Sequence, residues 1–217
     1  MNKPKITVTG ADQATNMDAL KNIPGLEVGI LISASPEGRM RYPSEPWIGA
    51  TVAAYKEIDL ALHICGSAAR VKFKSGYYDP WMKYVKRIQI NGVVEINELV
   101  AICNTYSGHT IITQHSDRNA DLIDVVLNYN NHSLLVDGSG GRGISPEKWK
   151  APVTNKNVGF AGGMGPGEIA KNLVDIVPIA KNGFWIDMEN KLRTNDKFDI
   201  EKIQQVIREV DSFNYSF

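Results

Sequence analysis

The sequence contains no stretch of about 18 apolar residues, so no membrane-spanning helix is expected. Its opening, Met1-Asn2-Lys3-Pro4-Lys5, is charged and is followed by no apolar core long enough for a signal peptide. Cysteine is scarce: Cys65 and Cys103 make neither a disulfide framework nor a paired zinc motif. Charge of one sign is not in excess either. The 24 acidic and 24 basic residues cancel and form no long run, which argues against nucleic acid or a membrane surface as the main partner. A cytoplasmic location is therefore expected. With 217 residues, 43% of them hydrophobic, the chain is long enough for one well-buried domain and short of two ordinary ones.

Strand and helix signals alternate from end to end. Apolar strands are expected at 6–9, 26–33, 59–64, 88–90, 110–114, 133–137, 157–161 and 183–187. Helices are expected over 12–21, 80–86, 95–104, 117–129 and 167–174, with a short one at 146–150. Ser44 caps another, with an apolar face of Trp47, Ile48, Val52 and Tyr55, and Asp199 caps the last, through Ile203, Val206, Ile207 and Val210. Eight such units in about this length are the arithmetic of a single-domain (β/α)8 TIM barrel spanning 1–217, an α/β fold whose sites lie at the C-terminal ends of the strands. A doubly wound open sheet gives the same alternation and is the fold alternative.

The richest stretch runs from Ser133 to Glu168. Ser133-Leu134-Leu135-Val136-Asp137 is a buried-strand pattern that delivers one carboxylate to the strand's C-terminal edge. Gly138-Ser139-Gly140-Gly141-Arg142-Gly143 follows, a loop glycine-dense enough to let backbone approach a ligand. The next strand stops at Gly162-Gly163, and Met164-Gly165-Pro166-Gly167-Glu168 reads as a helix start. Unpaired N–H groups at such a place suit an anion, so a phosphate is the natural occupant. The plainer reading is that these glycines only make tight turns.

In these residues the chain resembles the phosphoribosylanthranilate isomerases. Asp137 with its Gly-Gly-Arg-Gly loop and Trp149, then Ala161 through Glu168, look like the family's sixth and seventh units. Arg41-Tyr42 falls where the family has an Arg-Tyr pair, and Gln89-Ile90-Asn91-Gly92 where Gln-Leu-His-Gly is usual. The resemblance implies an enzyme of tryptophan biosynthesis that isomerises an aldose to a ketose, converting a phosphorylated aminoribose by an Amadori rearrangement. It implies Asp137 as general acid, a role that needs a raised pKa of the kind burial beside a closed loop can supply. It implies Arg41 at an anthranilate carboxylate, Thr9, Asn91, Gly140, Gly141 and Arg142 around the substrate, and Gly162, Gly163, Gly165 and Lys191 at the phosphate. No cofactor or metal is expected, and the partner is a small phosphorylated sugar bound by a monomer or homodimer.

The chain departs from the family at three places. The family's basic cysteine at the end of strand one is Thr9, whose hydroxyl is no base near neutral pH unless activated. The Ser-Gly phosphate contacts after strand eight become Glu189-Asn190-Lys191, and the strand-four histidine is Asn91. Candidates for the missing base are Cys65 and His63, two residues apart and so on one strand face, and Asp187 at the end of strand eight. The plainer readings are a barrel-interior histidine, a small buried thiol and a turn-bonding aspartate. His115 ends strand five and is weighed in the same way, while His109 and His132 precede strands and belong to the opposite rim. Tyr77-Tyr78-Asp79-Pro80-Trp81 reads as an aromatic turn packed on its own helix, or else as a lid or interface. Lys83, Lys86 and Arg87 read as a solvated helix face, and 193–198 as a polar connection anchored by Phe198.

Two functions of different classes follow. The first is the phosphosugar isomerase. The second is a non-catalytic barrel that keeps the phosphate cradle and binds a phosphorylated metabolite or nucleotide for sensing or sequestration.

Overall fold

A computed structural model describes residues 3–34, 39–115, 119, 128–137, 142–180 and 182–215. Eight strands pair in chain order, all parallel: β1 (Lys5–Thr9), β2 (Leu26–Ser33), β3 (Asp59–Cys65), β4 (Arg87–Asn91), β5 (Thr110–His115), β6 (His132–Asp137), β7 (Val158–Ala161) and β8 (Phe184–Met188). β8 pairs back onto β1, Trp185 opposite Lys5 and Asp187 opposite Thr7, so the sheet is a closed (β/α)8 barrel with no exposed edge. The outer layer includes α1 (Glu45–Ala54), α2 (Ser67–Lys74), α3 (Asp79–Met82), α4 (Ile96–Thr105), α5 (Ile169–Ile176) and α6 (Ile200–Ser212).

The strands are apolar on both faces for two different reasons. Outward residues such as Val8, Val28, Ile30, Leu62, Ile64, Ile88 and Ile90 join the large core beneath the helices. The inside holds a much smaller apolar cluster of Ile112, Leu135 and Trp185, and many of the other interior positions, Thr7, Thr9, His63, Arg87 and Gln89 among them, are polar. Because side chains alternate with a period of two, register carries each inward position round the barrel: Thr9 faces Gly29, which pairs with Ala61 and then Arg87. On the other side Asp137 pairs with Ala161, and Ala161 with Asp187.

Arg87 therefore lies inside the barrel, not on a solvated helix face. Its guanidinium donates to Thr7 Oγ1 at 2.7 Å, ion-pairs with Glu27 and lies 4.7 Å from the centre of the Trp185 ring. Trp185 in turn needs Gly159, since a Cβ there would sit 2.3 Å from its ring.

Several expected helices take other forms. Over 12–21 there is only a 3-10 turn, Met17–Leu20, because Asp12 accepts from the Ala14 amide and Asn16 from that of Ala19. Such local side-chain bonds compete with helix propagation. The helix after β3 starts at once, at Ser67, following Gly66 at φ +85°, and the aromatic turn supports only the short α3. In that turn Tyr78 is fully buried and stacks on Trp81 at 5.1 Å, which is packing on its own neighbourhood. No helix forms at 146–150; Trp149 instead donates to Asn172 Oδ1 of α5 at 3.0 Å and pins the loop there. Most of the helix expected over 117–129 lies outside the described residues. The connection after β8 is a hairpin, β9 (Arg193–Thr194) and β10 (Lys197–Phe198), turned by Asn195 and Asp196 at φ 51° and 56°. Asp199 caps α6 as the sequence indicates, accepting from the amides of Glu201 and Lys202. Among the described residues no helix is long and apolar enough to cross a membrane.

His132 at the start of β6 is buried with Nε2 2.9 Å from Thr113 Oγ1, and burial, aided by Lys156, lowers its pKa to about 4. Between pH 6.5 and 4 the unfolded chain protonates this residue and the folded chain does not, so it removes stability as pH falls. Buried Glu27 and Asp187 act in the opposite sense, because burial raises their pKa values. The difference between parent and variant isolates the histidine: by urea titration, His132→Gln should narrow the loss between pH 7 and 5 by about 2 kcal/mol.

Candidate active site

The cavity at the C-terminal end of the barrel gathers residues from seven of the eight strands. Thr9, His63, Gln89, Asn91, Gln114, Asp137, Ala161, Gly162, Gly163, Asp187, Glu189 and Lys191 are among its walls. The loop after β2 also approaches this rim, through Arg41.

The carboxylates lie on either side of Ala161. Asp137 is 3% exposed and accepts from Gln114 Nε2 at 3.4 Å. Asp187 is 5% exposed and accepts from Thr9 Oγ1 at 2.7 Å. In register the two acids are separated by one intervening strand, which places their Cα atoms roughly 10 Å apart. The small Ala161 leaves space between them. Burial raises the Asp187 pKa, opposed by Arg87 beneath it and by hydrogen bonds from Thr9, Gln89 and the Met188 amide.

Thr9 is thus a donor to a carboxylate. Gly29 makes this possible: a Cβ there would lie 2.6 Å from Thr9 Oγ1 and 2.9 Å from His63 Nε2. His63 Nδ1 is 3.2 Å from Gln89 Nε2, while its buried Nε2 has no hydrogen-bond partner among the described residues. Burial, with Arg87 nearby, lowers the His63 pKa to about 3, so the ring is neutral at working pH. Cys65 does not pair with the imidazole. It donates to the backbone oxygen of His63 at 3.4 Å and accepts from Asn91 Nδ2 at 3.3 Å, and burial pushes its thiol up to about 12. A thiol so held is protonated near neutrality and has little capacity as a base.

The glycine corner is closely packed. Gly162 and Gly163 have φ of +125° and +64°, and a Cβ on Gly163 would overlap Ser145, so these positions admit only glycine. Gly165 lies against the Lys191 side chain, and Lys191 Nζ is 3.6 Å from Glu168 Oε1. The Gly167 amide donates to Glu209 Oε1 of α6 at 2.8 Å, which holds the turn from behind. Gly140 and Gly141 lie outside the described residues; Arg142, just after them, is exposed.

Arg41 is not directed into the cavity. Its guanidinium donates to Glu189 Oε1 and Asn190 Oδ1, both at 2.7 Å, and to Asp196 Oδ1 at 3.4 Å. Arg193, 4% exposed in its side chain, donates to Gly10 O at 2.6 Å and pairs with fully buried Asp12 at 2.7 Å. The sequence does not mark Glu27, and it suggests a solvated helix face for Arg87 and a polar connection for Arg193. Their register inside the barrel, or beneath a hairpin, has no local signature. His115 ends β5 as expected but is not among the cavity walls. Among the described residues there is no group of three or more His, Cys, Asp or Glu arranged to hold a metal ion.

No protein-family model matches the sequence, and no curated protein matches it. Solved structures do. The barrel superposes on a monomeric form of the dimeric phosphoribosylanthranilate isomerase of Thermotoga maritima with a TM-score of 0.67 at 15% identity, covering 97% of this chain and 100% of that one. The enzyme of the same name from Thermus thermophilus gives 0.66 at 14% identity, with 96% and 98% covered. That from Thermococcus kodakaraensis gives 0.65 at 12%, with 96% and 99% covered. At these identities the likeness is one of fold.

Removing the donor to Asp187 tests the electrostatics directly. Thr9→Val should raise the Asp187 pKa further, seen as an upfield-to-downfield carboxyl 13C transition moved to higher pH by about one unit.

Proposed function

We propose that the protein is an isomerase of the phosphoribosylanthranilate isomerase type, carrying out an Amadori rearrangement of an N-linked aminoribose 5-phosphate. The observation that carries this reading is the pair of buried carboxyl groups, Asp137 and Asp187, facing one cavity across Ala161. A protein that only holds a ligand has no need of two buried acids at sugar-sized separation, because taking carboxyl groups out of water is costly. Barrels of the same fold that bear the isomerase name support the reaction class.

In this mechanism Asp137 gives its proton to the ring oxygen as the furanose opens, leaving a protonated imine (an iminium) at C1. Asp187 takes the proton from C2, and the resulting enolamine tautomerises to the aminoketose. The proton count closes without an oxidant or any other reactant. Asp187 must be ionised to act, and its raised pKa brings its basicity closer to neutral pH than that of an ordinary carboxylate. Thr9 orients the carboxylate through the 2.7 Å hydrogen bond and is not itself the base. The 5-phosphate sits at Gly162, Gly163 and Gly165, with Lys191 supplying a positive charge.

The alternative of a non-catalytic metabolite-binding barrel draws on Thr9 standing in place of a cysteine base, and turnover separates the two. Freshly generated N-(5-phosphoribosyl)arylamines should be consumed faster with the protein than without it. Asp137→Asn and Asp187→Asn should each lower kcat by about a thousandfold or more with ligand affinity largely kept. The log kcat/KM of the parent should rise with pH through an acidic limb set above the usual carboxylate range, since protonated Asp187 cannot accept the C2 proton. No acceleration with any arylamine at high protein concentration would retire the catalytic reading.

A further inference from the structure

We propose that the cavity selects an aglycone without a carboxylate, one that presents a neutral hydrogen-bond donor or a cation, and that Glu189 makes the selection. This rests on the phosphosugar reading above and concerns the other end of the same ligand.

The argument starts from which charge meets the ligand. Glu189 and Asn190 line the cavity, whereas Arg41 is not among its described walls. The guanidinium stands behind them, with one terminal nitrogen bonded to both Glu189 and Asn190 and the other to Asp196. Its remaining nitrogen, Nε, is buried, and the two terminal nitrogens of the fork are already bonded to protein oxygens. Glu189 and Asp196 both pair with this guanidinium, Asp196 being shared with Arg193.

An aglycone carboxylate arriving at this wall would meet the Glu189 carboxylate first. To reach Arg41 it would have to displace Glu189 and leave that partly buried acid without its cation, next to the Asp187 charge. Burial already pushes the Glu189 carboxyl up, so a second anion beside it is opposed further. A carboxamide, a ring N–H or an ammonium group reverses the sign of the contact: it donates to Glu189 while the Arg41 pair stays intact. Rejection of the wrong charge, more than added attraction for the right one, is what gives the preference.

Two inert ligands test this without requiring turnover: the reduced product analogue of the anthranilate substrate, an N-aryl-1-amino-1-deoxyribitol 5-phosphate with an ortho carboxylate, and its ortho carboxamide counterpart. Calorimetry with the unmodified protein should show the carboxamide bound at least tenfold more tightly. Glu189→Gln should reduce that ratio to near one or invert it, with its melting curve serving as the folding control. Arg41→Met should keep the carboxamide preference, because the guanidinium does not face the ligand. Equal or tighter binding of the carboxylate by the unmodified protein, or loss of carboxylate affinity on Arg41→Met alone, would overturn the inference and leave the phosphosugar reading in place. Failure of the unmodified protein to bind either analogue would overturn both.

Discussion

The buried guanidinium of Arg87 is the constraint around which the barrel interior is arranged. A cation enclosed by eight strands requires compensating partners, and here they come from three other strands: Thr7 of β1, Glu27 of β2 and the Trp185 ring of β8. Gly159 has no side chain because Trp185 fills that space. The same charge acts upward, helping to keep His63 neutral and moderating the rise that burial imposes on Asp187. The interior is therefore a polar column whose lower layer sets the protonation states of the layer above it.

That upper layer divides its tasks by strand. β6 and β8 each deliver a buried acid, β7 between them contributes only Ala161, and β1 supplies the hydroxyl that fixes Asp187. Gly29 leaves room for Thr9 and His63 to approach each other, so one missing Cβ on β2 shapes the environment of an acid on β8. The thiol of Cys65, by contrast, is satisfied by a backbone oxygen and by Asn91 and takes no part in that arrangement.

Beyond the strands, the β8 hairpin ties two neighbouring loops together. Arg193 reaches Gly10 and Asp12 after β1, and Glu189, Asn190 and Asp196 reach Arg41 after β2. Asp196 receives both arginines from a left-handed turn position that an Asp tolerates better than most residues. A buried ion pair of the Arg193–Asp12 kind adds less net stability than definition of geometry, since the desolvation of both charges offsets much of their attraction. What it defines here is the wall of the cavity on the β1 and β2 side.

The sequence by itself determined the eightfold alternation. Runs such as Leu26–Ser33 and His132–Asp137 carry a strand pattern that survives without knowledge of their neighbours, and the glycines of 162–167 mark a sharp turn wherever they fall. It also brought forward Asp137 and Asp187, because a carboxylate at the C-terminal end of a buried strand is visible in one dimension. Only the tertiary structure decided that Arg87 lies inside, that Thr9 serves Asp187 while Cys65 is withdrawn, and that Glu189 stands between Arg41 and the cavity. Those outcomes depend on barrel register and on pairs 80 to 178 residues apart in the chain, such as Thr7 with Arg87 and Thr9 with Asp187. Local periodicity says which face of a strand a side chain takes; the charges that meet there are set by closure of the sheet.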